Sequence, residues 1–292
     1  MSETENTVGT LYLAATPIGN LEDMTYRAVR VLGEVDVIAA EDTRHTRGLL
    51  THFDIHTPLV SYHEHNKDTA GPPLVERLLA GENIACVSDA GLPGIADPGA
   101  DLARRAIAAG ITVTVLPGAN AALTGLIASG LDTVRFSFVG FLPRTKDKRR
   151  ELLAEVKSHR ETLIFYEAPH RLAESLKELT AGLGGSRPAV LCRELTKKYE
   201  EYRRGTLQEL LDSLSDNEQR GEFVIIVGGC NTAAEAGADE QAADELNANN
   251  PEAVKAAVAV LTEQGMPEKE AMRQIARQTG LSRRDIYRMC IE

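Results

Sequence analysis

Five clusters in this 292-residue sequence gather residue types that could build a ligand site. They are Thr16-Pro17-Ile18-Gly19-Asn20-Leu21-Glu22-Asp23, Glu41-Asp42-Thr43-Arg44-His45-Thr46, His63-Glu64-His65-Asn66, Asp89-Ala90-Gly91-Leu92-Pro93-Gly94-Ile95-Ala96-Asp97-Pro98-Gly99 and Pro117-Gly118-Ala119-Asn120-Ala121. Each is ordinary alone, because turns need glycine and proline anyway. Their shared position is the signal: each follows a short apolar run that reads as a strand. In open parallel sheets, ligands bind beyond the carboxyl ends of the strands, so five such loops at one edge point to a functional cleft. Several other chemistries are excluded. There is no G-x-x-x-x-G-K-[ST] loop, no G-x-G-x-x-G after the first strand and no G-x-S-x-G elbow. His63 and His65 could share a strand face, but no third ligand stands at a metal-site spacing, so no metal is expected.

The elements that must position these loops follow from the hydrophobic pattern. Leu11–Ala15, Val35–Ala40, Leu59–Tyr62, Ile84–Ser88 and Val113–Leu116 are near-continuously apolar, as strands covered on both faces should be. Between them the pattern predicts helices over Met24–Gly33, Thr46–Thr51, Pro73–Ala80, Gly99–Ala109 and Ala119–Ser129. Strand–helix alternation of this kind implies a parallel α/β sheet with helices on both faces. A second α/β region is expected from strands Phe136–Gly140, Thr162–Tyr166, Val190–Arg193 and Phe223–Gly228, with helices over Lys146–Ser158 and Arg171–Leu183. The organisation predicted is a disordered N-terminus (1–9), an N-terminal α/β domain (10–120), a second α/β domain (121–229), an acidic linker (230–250) and a small helical, helix-turn-helix-like domain (251–292). In that last part Ser282 is a good N-cap. Arg283, Arg284 and Arg288 either touch nucleic acid or decorate a plain helical appendage.

With 43% hydrophobic and 26% charged residues, the chain has ordinary globular composition and length for about two domains. Its net charge of −11 argues against a surface that grips nucleic acid everywhere, but the partition is uneven. Residues 1–134 carry −9 and residues 230–250 carry −5, whereas residues 135–160 form an island of +5. That island, with Arg144, Lys146, Arg149 and Arg150, is the best place for a polyanion backbone; the competing reading is a solvated helix face. Four widely spaced cysteines with no C-x-x-C suggest a reducing compartment. With no long apolar run and a polar N-terminus, the expectation is a cytoplasmic protein that does not meet a membrane.

Seven segments in order resemble one family. They are Leu11-Tyr-Leu-Ala-Ala-Thr-Pro-Ile-Gly-Asn-Leu-Glu-Asp, Ala40-Glu-Asp-Thr-Arg-His-Thr, Ser88-Asp-Ala-Gly-Leu-Pro-Gly-Ile-Ala-Asp-Pro-Gly, Leu116-Pro-Gly-Ala-Asn-Ala, Gly140-Phe-Leu-Pro-Arg, Phe165-Tyr-Glu-Ala-Pro-His-Arg and Cys192-Arg-Glu-Leu-Thr-Lys-Lys-Tyr-Glu-Glu. Together they resemble the ribosomal-RNA branch of the tetrapyrrole methylase superfamily, the class III methyltransferases, over about residues 8–229. Where the wider superfamily has Gly-Asp-Pro, this chain has Ser88-Asp-Ala-Gly-Leu-Pro-Gly, which looks like the ribosomal branch. Leu92 and Ala119-Asn120 depart from what is frequent there. The resemblance implies two α/β domains with S-adenosyl-L-methionine in the cleft between them and a homodimer. It also implies 2′-O-methylation of a cytidine ribose in small-subunit ribosomal RNA, free or in the small ribosomal subunit. The alternatives are a tetrapyrrole or other small-molecule methyltransferase, and a DNA-binding regulator led by the trailing helices.

By the same resemblance, the cofactor falls to Pro17, Ile18, Asp89, Ala90, Gly91, Leu92, Ile95, Asn120 and Ala121, with Tyr166 and Leu195 from the second domain. Gly91 would allow close backbone approach, and Leu92 and Ile95 would flank the adenosine. For catalysis the expectation rests on Asp42, Arg44 and Glu194, with Glu41, His63 and Asn66 as further acceptor-handling groups. RNA contact is expected from Arg144, Lys146, Arg149, Arg150, Arg193 and Lys197. An ion-pair network that merely shapes the cleft explains the charged members equally well. His170 and Arg171, at a helix start, serve capping or an interface at least as well as RNA.

Overall fold

The computed structural model describes residues 8–214, 220–230, 251–263, 267–279 and 281–291. The expected disordered N-terminus lies outside them except for Val8 and Gly9, and so does the linker except for Cys230.

The first sheet contains β1 (Thr10–Ala14), β2 (Val37–Ala40), β3 (Leu59–Ser61), β4 (Ile84–Val87) and β5 (Thr112–Leu116). They lie in the order β3-β2-β4-β1-β5, and every pairing is parallel. Every residue of β2 and β4 is buried, which explains their unbroken apolar sequence. The crossover helices are α1 (Tyr26–Glu34), α2 (Thr43–His52), α3 (Lys67–Leu79) and α4 (Gly99–Ala108). Two apolar clusters form the core, one around Leu13, Leu78 and Leu102, the other around Leu32, Ile38 and Leu50. Helix α3 starts well before the expected Pro73. Asn66 opens it, accepting from Ala70 N–H at 2.8 Å through its carbonyl, so Pro72 and Pro73 lie within the helix.

Helix α5 (Ala121–Ser129) leads into the second sheet: β6 (Phe136–Phe141), β7 (Thr162–Glu167), β8 (Pro188–Arg193), β9 (Glu201–Thr206) and β10 (Phe223–Val227). Its order is β6-β7-β10-β8-β9, with only β6 and β7 parallel. Helices α6 (Lys146–Val156), α7 (Leu172–Leu183) and α8 (Leu207–Asp212) share a core with one face of this sheet. On the other face, Ala122 and Leu126 of α5 join Ile164, Val190, Cys192, Val224 and Ile226, together with Ile18 and Leu195. Strand β9 and helix α8 were not expected. The β9 sequence Glu-Tyr-Arg-Arg-Gly-Thr has no apolar run, and its ladder with β8 alone makes it a strand. Helix α8 is opened by a capping box between Thr206 and Glu209.

A separate unit consists of residues 158–160 and 229–292. Its helices α9 (Pro251–Glu263), α10 (Glu268–Thr279) and α11 (Arg283–Ile291) enclose Val254, Val258, Ala271, Ile275 and Ile286. Ser282 Oγ accepts from Asp285 N–H at 3.2 Å, capping α11. Among the described residues, no helix is long and apolar enough to cross a membrane.

Candidate active site

The carboxyl ends of the parallel strands open onto a cavity of about 480 Å³. The loop after β1 is tied to the loop after β4 by paired backbone bonds: Thr16 N–H to Gly91 O at 2.9 Å and Gly91 N–H to Thr16 O at 3.1 Å. Gly91 has φ +82°, and a Cβ there would stand 3.2 Å from Ile18 Cγ2. The positive φ favours glycine, and a larger residue would also push the Ile18 methyl aside by a few tenths of an ångström. Asp97 folds the rest of this loop by accepting from Gly94 N–H at 2.8 Å and Gly99 N–H at 2.7 Å. Ala96 beside it is held at φ +66°, a left-handed conformation that costs a non-glycine residue energy.

Ile18, Asp89, Ala90, Gly91, Leu92, Ile95, Asn120 and Ala121 line the cavity from the first sheet's loops, and Tyr166 and Leu195 line it from the second half. Pro17 does not line it. Asn120 also caps α5, its side chain accepting from Leu123 N–H at 3.0 Å. Tyr166 accepts from Ala122 N–H at 3.1 Å, and Phe138 and Phe141 pack edge-on against its ring. Burial pushes the Tyr166 phenol up, so it stays neutral.

Sequence reasoning missed part of the lining. Asp97, Phe141, Glu167 and the 222–224 segment also face the cavity. The Asp97-Pro98-Gly99 turn was readable as a loop, but nothing in it revealed that Asp97 would line the cavity. Glu222 arrives only because β10 pairs between β7 and β8.

The acceptor-handling groups divide sharply. Glu41 lines the cavity; Asp42 and Arg44 do not. Asp42 caps α2, accepting from Arg44 N–H at 2.8 Å, and pairs with the Arg44 guanidinium at 3.1 Å. That side-chain hydrogen bond holds the exposed Asp42 carboxyl down at about 2. Burial raises Glu41 instead, and the neighbouring Asp89 charge raises it further. His63 lies outside the lining, its Nδ1 buried with no hydrogen-bond partner among the described residues. Asn66 accepts from His63 N–H at 2.7 Å, which shapes the turn into α3.

In the second half the charged groups are engaged with one another. Burial alone would raise the Glu194 carboxyl, but bonds from Lys197 at 2.9 Å and from Glu222 N–H at 2.9 Å outweigh it and leave it low. Lys197 also pairs with Glu222 at 3.1 Å. Arg193 donates to Arg220 O at 3.1 Å and approaches Glu201 at 3.7 Å. None of Arg193, Glu194 and Lys197 lines the cavity.

One RNA expectation is overturned. Arg149 is only 5% exposed and turns inward, with ion pairs to Glu174 at 2.8 Å and Glu178 at 2.5 Å. It braces α6 against α7. Arg144, Lys146 and Arg150 are exposed, as is Lys148. Arg171 is anchored too, donating to Leu142 O at 3.1 Å. Among the described residues, no group of three or more His, Cys, Asp or Glu could hold a metal ion.

Comparison with known proteins places this geometry in context. The sequence profile for Tetrapyrrole (Corrin/Porphyrin) Methylases matches residues 10–211. Proteins named Ribosomal RNA small subunit methyltransferase I are similar over nearly the whole chain. The one from Halalkalibacterium halodurans is 52% identical over 96% of this chain and 93% of its own. The Bacillus subtilis protein is 48% identical, again over 96% and 93%. The Synechocystis protein is 45% identical over 98% of both chains. Among solved structures, the uroporphyrin-III-C-methyltransferase of Thermus thermophilus shares the fold at TM-score 0.55 and 22% identity, over 75% of this chain and 94% of that one. A form of a Thermus thermophilus uroporphyrin-III C-methyltransferase complexed with S-adenosyl homocysteine aligns at TM-score 0.53 and 20% identity, over 75% and 97%.

Proposed function

Because the chain belongs to the tetrapyrrole methylase family, in its ribosomal RNA small subunit methyltransferase I group, we propose that it uses S-adenosyl-L-methionine to methylate a cytidine ribose 2′-hydroxyl in small-subunit ribosomal RNA. The observation that carries this reading is the convergence of the β1, β4 and β5 loops with Tyr166 and Leu195 around one cavity.

The cavity suits that cofactor. Ile18, Leu92, Ile95 and Leu195 offer apolar surface for an adenine ring, and the bare backbone at Gly91 leaves room beside Ile18. Asp89 and Asp97 put negative charge on the wall, complementary to a cationic ligand. When bound, the cofactor supplies an activated methyl group on a sulfonium. The protein's task is to hold the acceptor hydroxyl in line with it, and alignment of this kind can supply roughly 7–11 kcal/mol. The tied β1 and β4 loops and the braced Tyr166 form a stiff wall for that purpose.

The exposed Arg144, Lys146 and Arg150 at the start of α6 are suited to the RNA backbone. The family relationship further supports a homodimer working in the cytoplasm. The test is to incubate the protein with labelled S-adenosylmethionine and small subunits from a strain lacking the gene, then map the methyl group by mass spectrometry. A methyl on a cytidine ribose is expected. Label in a tetrapyrrole and none in RNA would replace this reading.

A further inference from the structure

We infer that Glu41 is the catalytic residue that takes the proton of the acceptor hydroxyl during methyl transfer. This rests on the ribose methylation proposed above. The argument is one of elimination among the carboxylates that line the cavity. Asp89 accepts from Asp42 N–H at 2.9 Å. Asp97 uses one oxygen to hold Gly94 and Gly99 N–H. Glu167 is bonded to Ser175 and to Ala168 N–H, with Arg171 at 3.8 Å. Glu222 is paired with Lys197. Glu41 is the least engaged of the five: its one hydrogen bond among the described residues is a long one, from Asp89 N–H to Oε2 at 3.5 Å, whereas each of the others is tied by a bond of 3.1 Å or less. Asp89, Asp97 and Glu222 also keep one oxygen with no bond among the described residues, but their other oxygen is held firmly, so Glu41 is the carboxylate freest to turn toward an acceptor.

The surroundings also make Glu41 a better base than an ordinary carboxylate. Burial disfavours its charged form and the Asp89 and Asp97 charges add to this, outweighing the bond from Asp89 N–H and the nearby His63. Burial raises Asp97 as well, but that carboxylate is tied to Gly94 and Gly99 N–H. The buried Cys86 thiol, also within its field, is pushed far up by burial and stays neutral. A carboxyl raised by desolvation and like charges, and only weakly hydrogen-bonded to the fold, is in an environment that tunes a general base. In the step itself, the acceptor oxygen forms its bond to the methyl carbon. The carbon–sulfur bond breaks with its electron pair remaining on sulfur, which becomes a neutral thioether. The hydroxyl proton passes to Glu41, which ends as a carboxylic acid and returns the proton to solvent after product leaves. Asp42 and Glu194, both held well below Glu41, are poorer acceptors.

The test compares wild type with Glu41→Gln in single turnover on small subunits, so that product release does not mask the chemistry. The expected loss in rate is on the order of 10²-fold or more. The wild-type rate should fall as pH drops through a value above the ordinary carboxylate range, and the variant should lack that limb. Carboxyl-carbon NMR of the ligand-free protein should show a resonance titrating in the same raised range, absent from Glu41→Gln. Binding of S-adenosylmethionine and S-adenosylhomocysteine, measured by calorimetry, should change by less than about threefold. Selective weakening of S-adenosylmethionine alone would mean that Glu41 serves the sulfonium charge, and it would overturn the inference. So would an unchanged single-turnover rate, or no carboxyl titrating above the ordinary range. A wild-type protein that labels no RNA refutes the reaction itself. A wild type that labels RNA beside an equally fast Glu41→Gln refutes only the role of Glu41.

Discussion

At the ends of β2 and β4, Glu41, Asp89 and Asp97 line the cavity with no cation paired to them among the described residues. At the end of β8, Glu194 holds Lys197 at 2.9 Å, and Glu222 completes the pair. The same residue type thus shifts in opposite directions on the two sides, Glu41 upward and Glu194 downward. The first half keeps charge unneutralised where a ligand would sit. The second half spends its charge on its own loops and on α6, where Glu174 and Glu178 neutralise Arg149. The difference teaches that charge at a strand end is not by itself a site. What matters is whether the fold has already satisfied it.

Four variants test this contrast. The largest effect is expected at Arg149. Replacing it by alanine leaves a buried gap and removes the partner of Glu178, while the half-exposed Glu174 is screened by solvent; the cost should be about 2–4 kcal/mol in chemical denaturation. The salt dependence of RNA binding should not change; a flatter dependence would return Arg149 to the RNA surface. Next comes Gly91→Val. Its positive φ and the close Ile18 methyl should weaken S-adenosylmethionine binding roughly 10- to 100-fold by calorimetry, the equivalent of about 1–3 kcal/mol of backbone strain. Unaltered binding would show that the β4 loop is not part of the cofactor wall.

Neutralising Arg144, Lys146 and Arg150 together to glutamine should weaken RNA binding roughly tenfold. It should also lower the slope of log K against log salt by about 2, the release expected for three single-strand phosphate contacts. An unchanged slope would leave these side chains as a solvated helix face. The smallest effect belongs to Lys197→Met, about 1 kcal/mol, since the pair is partly solvent-exposed. Its size depends on pH. Because Glu194 sits low in the folded state, its pair stabilises the protein above the ordinary carboxylate range and is lost as pH falls through the depressed value. Denaturation curves measured across that acidic window should therefore be flatter for Lys197→Met than for wild type.

Much of the first half was legible because parallel strands buried on both faces read as unbroken apolar runs, such as Val37–Ala40 and Ile84–Val87. The loops lining the cavity were legible because they follow those runs at the sheet's carboxyl edge; the expectation that Gly91, Leu92, Ile95 and Asn120 hold a cofactor came from the family resemblance. Strand β9 was not legible, because its pairing with β8, rather than its own pattern, makes it a strand. Choosing between Glu41 and Asp42 was not legible either. They are neighbours in sequence, yet one caps a helix in solvent while the other is drawn into the cavity.

What the sequence determined alone was local: apolar periodicity placed the elements, glycine and proline placed the loops, and seven ordered motifs placed the family. What only the tertiary structure decided was which charges remain available. Arg149 finds Glu174 and Glu178 across 25 and 29 residues, and Glu41 meets Asp89 N–H across 48. Such pairings arise from packing rather than from neighbouring sequence. They, together with desolvation, decide whether a charged side chain braces the fold or faces a ligand.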